Sequence, residues 1–209
     1  MSLVLDEHRQ YLADSARLDA FSAAIHTLVR PGDVVLDLAS GTGILGLLAC
    51  QAGAGRVYAI EVDPIVELAR HIARDNGFSD RIVWIHDLST HVTLPETVDL
   101  IVTDLIGRFG VDAGITATLG DARRFLKPGG RIIPSMLTLW LAPVESFEIW
   151  EQVAFWTRPV RGLSFRAADA IARSTGYPRH IQPEELLSSP RSLHPSIQAS
   201  IVACCRPAR

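Results

Sequence analysis

Hydrophobic positions along this 209-residue chain change their period several times. Leu18, Phe21, Ile25, Leu28 and Val29 recur at helical spacing, and Pro31-Gly32 stops the run, which predicts a helix over residues 8–30. Short apolar runs then alternate with longer segments of helical character. Val34–Leu38, Arg56–Glu61, 81–86, Val98–Thr103 and 131–133 read as strands. Residues 44–52, a stretch opened by Asp63-Pro64 and closing near Asn76-Gly77, and 115–126 read as helices. Lys127-Pro128-Gly129-Gly130 reads as a turn before the fifth strand. Strands that alternate with helices pair in parallel through right-handed crossovers. The predicted fold is therefore α/β, a doubly wound, Rossmann-like, mostly parallel sheet with an N-terminal helical segment. Further on, 136–141 and 153–156 are apolar or aromatic without a helix between them, and Leu186-Leu187 precedes Ser188-Ser189-Pro190. That tail predicts a small antiparallel β appendage of short strands on loops.

Composition divides the chain. Residues 1–143 are net acidic, whereas 144–209 are net basic and richer in Pro and Ser, which places a boundary near Pro143. The expected organisation is an N-terminal helical cap (1–30), a nucleotide-binding domain (31–143) and a partial, β-barrel-like appendage (144–209). A net charge of -3 gives no electrostatic case for nucleic acid or an anionic membrane. No segment approaches the roughly 18 uninterrupted apolar residues of a membrane span, and the N-terminus lacks a secretory signal's apolar stretch. Cys50, Cys204 and Cys205 do not form a disulfide or zinc pattern. A reducing cytoplasm is the expected location. The histidines show no paired metal spacing, so no metal site is expected.

The chemistry concentrates in Val34-Val35-Leu36-Asp37-Leu38-Ala39-Ser40-Gly41-Thr42-Gly43. An apolar run ending in Gly-x-Gly and opening a helix reads as a buried strand turning into a nucleotide-binding loop. Gly41 and Gly43 let the backbone turn tightly and approach a ligand. Gly41 through Gly46 also satisfies the dinucleotide pattern G-x-G-x-x-G, and Glu61 follows at a spacing suited to a ribose hydroxyl. A dinucleotide would bring its pyrophosphate to the helix N-terminus, where Asp37 repels it. S-adenosylmethionine (SAM) carries a sulfonium and an ammonium group instead, and a carboxylate beside the loop attracts it. The loop is accordingly read as a SAM site. Two alternatives stay open: a nicotinamide dinucleotide in the same loop, and an Asp37 that merely caps the loop backbone. Thr103 and Asp104 close the fourth strand, beside the crevice expected at the carboxyl ends of the strands. There Asp104 could orient or deprotonate a nucleophile, or simply cap the next loop.

These residues resemble the class I SAM-dependent methyltransferases, and more narrowly the protein arginine methyltransferase family. Val35 to Leu45 resembles the family's first motif. Leu12-Ala13-Asp14-Ser15-Ala16-Arg17 resembles the Asp-x-x-Arg of its N-terminal helices, and Phe125 to Pro134 its approach to the barrel domain. The resemblance implies that Arg17 clamps the methionine carboxylate of SAM, that Asp37, Ala39, Gly41, Thr42 and Gly43 line the donor, and that Glu61 and Val62 meet the ribose. Asp87 and Leu88 would meet adenine and Thr103 would complete the set, while Tyr11 and Asp14 close the site from a mobile N-terminal helix. The family holds its substrate with two glutamates after the fourth strand. Asp104 falls on the first; the second falls on Ala113, with Asp112 one residue off register and Arg108 adding a positive charge. Asp104 and Asp112 are thus the catalytic candidates. The implied reaction is methyl transfer to a small-molecule or protein nucleophile that the sequence does not identify, with SAM binding without catalysis as the alternative. The family dimerises through an arm in its barrel, so the resemblance also raises a homodimer, although 144–209 contain no recognisable arm.

Overall fold

The computed structural model describes residues 2–106, 113–177 and 179–192. Arg108, Asp112, Cys204 and Cys205 lie outside the described residues. Those up to Met136 form one unit and those from Leu137 a second.

The first unit is built on five parallel strands: β1 (Val34–Leu38), β2 (Arg56–Glu61), β3 (Ile82–His86), β4 (Val98–Thr103) and β5 (Leu126–Ile133). Their order is β3-β2-β1-β4-β5, with β1 paired to both β2 and β4. The chain winds outward through β2 and β3, then crosses back over to β4. This reversal beside β1 opens a crevice at the carboxyl ends of β1 and β4. Alternation along each strand feeds two cores. Val35, Val57, Leu100 and Val102 face one side, with Phe21 and Ile25 of α2 (Ser15–Leu28) and Leu45, Ala49 and Cys50 of α3 (Ile44–Gln51). Leu36, Leu38, Tyr58, Ile60 and Ile101 face the other, with Val92, Leu94, Ala122 and Phe125.

Three expectations need correction. The helix predicted over 8–30 is two helices, α1 (Ser2–Ala13) and α2. Asp14 breaks the run by becoming the N-cap of α2, its side chain accepting the Arg17 N–H at 3.0 Å. Lys127-Pro128-Gly129-Gly130 is not a turn before β5 but an irregular part of it, where the register jumps from Val98–Leu126 to Leu100–Arg131. A bulge tolerates the proline and glycines that a regular ladder would not. Residues 153–156 are not a strand. They end α6 (Phe147–Ala154) and enter the 3-10 turn Phe155–Thr157, because Ile149, Val153 and Ala154 bury one helical stripe. Within the first unit, α4 (Val66–Asp75) follows β2, and α5 (Ile115–Ala122) runs into the 3-10 turn Arg123–Phe125.

The second unit keeps a small antiparallel pair, β6 (Trp140–Leu141) with β7 (Arg191–Ser192), and an isolated bridge between Val144 and Leu186. It also carries α7 (Asp169–Ser174). Arg179 binds Ser146 Oγ at 2.8 Å, Glu148 at 3.0 Å and Glu185 at 2.9 Å. Among the tryptophans, Trp150 lies under the Arg173 guanidinium, Trp156 meets Phe155 edge-on and Trp140 is exposed. Among the described residues no helix is long and apolar enough to cross a membrane.

Candidate active site

The loop after β1 is shaped by its neighbours rather than by its own side chains. Ala39, Gly41 and Gly43 all have positive φ, at 57°, 54° and 82°. Gly43 is the N-cap of α3 and has no side chain to offer. The cap comes from the underlying strand: Asp37 Oδ2 accepts the Gly46 N–H at 2.8 Å. Glu61, at the end of β2, accepts the Gly41 N–H at 2.7 Å through Oε2 and the Asp63 N–H at 2.8 Å through Oε1. Each carboxylate oxygen can take a further donor, so Glu61 keeps acceptor capacity for a diol. Ala39 is the strained member of the loop, since a Cβ is unfavourable in the left-handed region. Ala39→Gly should stabilise the fold by about 1 kcal/mol, read as a higher midpoint in urea.

Asp37 therefore does cap backbone, but only with one oxygen. It is 1% exposed, and its Oδ1 has no hydrogen-bond partner. Burial pushes its carboxyl up to about 7; the Gly46 N–H pulls the other way, and the charges of Glu61 and Asp104 add to the rise. An acid raised in this way takes up protons on folding between its unfolded value of 3.8 and about 7. Its contribution to stability is thus most favourable below that window, falls as pH rises through it and is level above it.

Asp104 supplies the third carboxylate. It follows Thr103, which is fully buried; the Thr103 hydroxyl donates to the Leu38 carbonyl at 2.7 Å and accepts the Leu105 N–H at 3.2 Å. Thr103 thus ties the end of β4 to the end of β1, beneath the crevice. Asp104 forms an ion pair with Nη2 of Arg17 from α2. Burial raises its carboxyl while Arg17 opposes the rise. The Arg17 guanidinium also lies over the Tyr11 ring at 4.8 Å, and the Tyr11 hydroxyl donates to Glu7 at 2.9 Å. The two residues expected to serve donor carboxylate and acceptor nucleophile separately are here partners of each other.

Besides Asp104 Oδ1, which the Arg17 ion pair engages, three buried polar atoms of this region lack a hydrogen-bond partner: Asp37 Oδ1, Ser40 Oγ and Arg17 Nε. An acceptor, a hydroxyl and a cationic donor are the groups that an α-ammonium and an α-carboxylate require. The residues present therefore fit the amino-acid end of SAM. The helix N-terminus that would hold a pyrophosphate is already capped by a carboxylate, which disfavours a dinucleotide.

The other predicted residues fall around this centre. Thr42 is buried in the loop. Val62 and Leu88, beyond the ends of β2 and β3, are large apolar side chains left 57% and 48% exposed, a surface suited to a flat base. Asp87 accepts the Leu88 N–H at 2.6 Å and lies 3.1 Å from His91 Nδ1; the Leu88 contact leads in holding its carboxyl below the usual range. Its carboxylate closes the turn. Sequence reasoning missed Ser40, His8 and Trp84. A Cβ on Gly41 would come within 2.7 Å of His8, and one on Gly43 within 2.4 Å of Trp84. Nothing in the local pattern marks these packing partners; the glycines alone signal that something approaches closely. Among the described residues no group of His, Cys, Asp or Glu could hold a metal ion.

A parallel sheet of this order, with an acid-flanked glycine loop at its switch point, defines the class I SAM-dependent methyltransferases. A family model described as ribosomal protein L11 methyltransferase (PrmA) matches residues 21–138, and the chain belongs to that methyltransferase family. Among curated relatives, the probable protein arginine N-methyltransferase 6 of Arabidopsis thaliana is 34% identical over 174 residues, covering 81% of this chain and 40% of the relative. Protein arginine N-methyltransferase 6 of Xenopus tropicalis is 30% identical, covering 88% of this chain and 57% of the relative. Among solved structures, the Trypanosoma brucei PRMT1 enzyme-prozyme heterotetrameric complex with AdoHcy superposes with a TM-score of 0.78 at 25% identity, over 90% of this chain and 60% of that one. Arabidopsis thaliana protein arginine methyltransferase 10 superposes at 0.73 and 26% identity, over 91% and 61%. The chain spans less than two thirds of the length of these proteins.

Proposed function

We propose that the chain binds SAM in the loop 39–43 and supports methyl transfer to a nitrogen of a protein side chain, arginine being the first candidate. SAM supplies an already activated methyl group; the chain's part is to hold donor and acceptor in line and keep water out. Arg17 would engage the donor carboxylate, Asp37 its cationic groups and Glu61 the ribose, with Val62 and Leu88 against the base. Asp104, once released from Arg17, would face the acceptor, and Asp112 is proposed as its companion. The observation that carries the reading is the convergence of Asp37, Glu61 and Asp104 from three adjacent strand ends on one glycine loop. The arginine methyltransferase relatives support the acceptor class.

The rival reading, a SAM-binding module without turnover, draws on the Arg17–Asp104 pair, which occupies the carboxylate an acceptor would need. Calorimetry with SAM, S-adenosylhomocysteine (SAH) and NADH, followed by transfer of labelled methyl to an arginine peptide and its lysine counterpart, decides among these. Binding of both S-adenosyl compounds with label on the arginine peptide is the expected result. Binding without transfer to any peptide or extract fraction favours the module, and NADH binding alone overturns the reading. A multimer is also proposed, since the trypanosomal structure is described as a heterotetrameric complex; light scattering checks it. A cytoplasmic location is proposed as well, and cell fractionation checks it.

A further inference from the structure

The opposite end of the sheet carries charge of the other sign. A cavity of about 230 Å³ opens near the amino ends of β1, β4 and β5, lined by Arg30, Asp33, Asp99, Lys127 and Arg131 around Gly129. Asp33 immediately precedes β1, whereas the donor loop immediately follows it. The whole strand, five residues at about 3.3 Å each, therefore separates this cavity from the methyl-transfer crevice. The irregularity in β5 makes the room. Residues 127–130 all stand opposite Asp99, between the pairs Val98–Leu126 and Leu100–Arg131. Gly129 has a φ of 78°, and a Cβ there would meet nothing within 4 Å. The backbone thus leaves open space where a side chain would project.

The charges lining this space do not balance. Asp99 Oδ2 accepts from Lys127 Nζ at 2.8 Å and from the Val34 N–H at 2.9 Å. Asp33 Oδ2 accepts the Arg30 N–H at 2.9 Å and lies 3.5 Å from Arg131 Nη2. Each acid engages one cation, and a backbone amide shares its charge. The Arg30 guanidinium is left over: among the described residues no acid pairs with it. Three cationic side chains therefore surround one open space with only two acids, both already engaged.

We propose that this cavity binds a phosphate group, carried by a free phosphate ion or by a phosphorylated side chain. Arg30 and Arg131 each offer a planar fork and Lys127 a point charge. A single fork satisfies a planar carboxylate, whereas donors from several sides suit a tetrahedral oxyanion. A phosphate also carries about 1.5 to 2 negative charges at neutral pH, enough to engage Arg30 and to draw on Arg131 as well. Arg131 is the cation free to respond, because its contact with Asp33 is the longer of the two acid contacts. The site is independent of the SAM reading.

The test is titration of isotope-labelled protein with inorganic phosphate, with a phosphoserine peptide and with chloride at matched ionic strength, followed through the backbone amide spectrum at about pH 7.5, where phosphate is mostly dianionic. Phosphate should give saturable shifts centred on Asp33, Gly129, Gly130 and Arg131, and chloride should give none. Arg30→Gln should weaken phosphate binding about tenfold, the loss of one charge-assisted contact, and leave the affinity for SAM unchanged. Arg30 is exposed and holds no acid in place, so the variant should keep the urea midpoint of the unchanged protein. Should it fail to fold, the position and saturation of the shifts in the unchanged protein still decide. Tighter binding of the peptide than of inorganic phosphate identifies a phosphorylated chain as the source, and equal binding identifies the free ion. Shifts that do not saturate, that chloride reproduces, or that Arg30→Gln leaves unaltered overturn the inference, and none of these results touches the SAM site.

Discussion

Arg17→Ala should weaken SAM binding about a hundredfold, the effect of losing a charge-assisted contact worth roughly 3 kcal/mol. Its Nε is buried without a partner and its Nη2 is committed to Asp104, so the guanidinium can turn toward a donor carboxylate at the expense of that ion pair. Two consequences of the substitution oppose each other. The lost contact weakens binding directly, whereas a more negative crevice attracts a cationic ligand at longer range. The first should win, because Asp104, already raised by burial, would meet the loss of its partner by taking up a proton. Arg17→Lys keeps the charge but not the planar fork, and should recover only part of the affinity. Calorimetry reads the affinities and a thermal melt confirms that each variant is folded. Unchanged affinity in the alanine variant would remove Arg17 from the site.

Gly43→Ala should destabilise the protein by about 3 kcal/mol, for two separable reasons. Its φ of 82° lies in the left-handed region, where a Cβ costs about 1–2 kcal/mol. The new Cβ would also sit 2.4 Å from the Trp84 ring, an overlap that must be relieved by moving a side chain packed on the core. A double-mutant cycle with Trp84→Leu divides the two. The shorter side chain should return the packing component and leave the backbone component. Urea denaturation measures all four corners, and an additive cycle would mean that the ring and the loop are not in contact. SAM binding should fall with the loop's geometry.

How much of this was legible beforehand differs by element. The strands of the parallel sheet stand out because each is a short apolar run between helical segments, and the sheet buries both its faces. Asp37 and Glu61 stand out for a related reason: an acid at the end of such a run has no apolar role. Residues 153–156 read as strand because a four-residue apolar run carries no period of its own. Only the spacing from Ile149 to Val153 assigns it to a helix. The helix break at Asp14 is masked by the periodic stretch around it, although Asp-Ser-Ala-Arg is itself a helix-start signal. Hidden altogether were contacts between residues far apart in the chain: Arg17 with Asp104, His8 over Gly41 and Trp84 over Gly43. Local pattern fixes which face a side chain takes and says nothing of which distant group it meets there.

The way α3 is capped has a kinetic consequence. Glu61 holds the Gly41 amide and Asp37 the Gly46 amide before any donor arrives, so the loop itself needs no reorganisation on encounter. The reorganisation that remains is the turn of Arg17 away from Asp104. A donor should then meet a preformed floor, so that variation in residence time among mutants would originate in the Arg17–Asp104 pair and variation in affinity for the bare fragment adenosine would not.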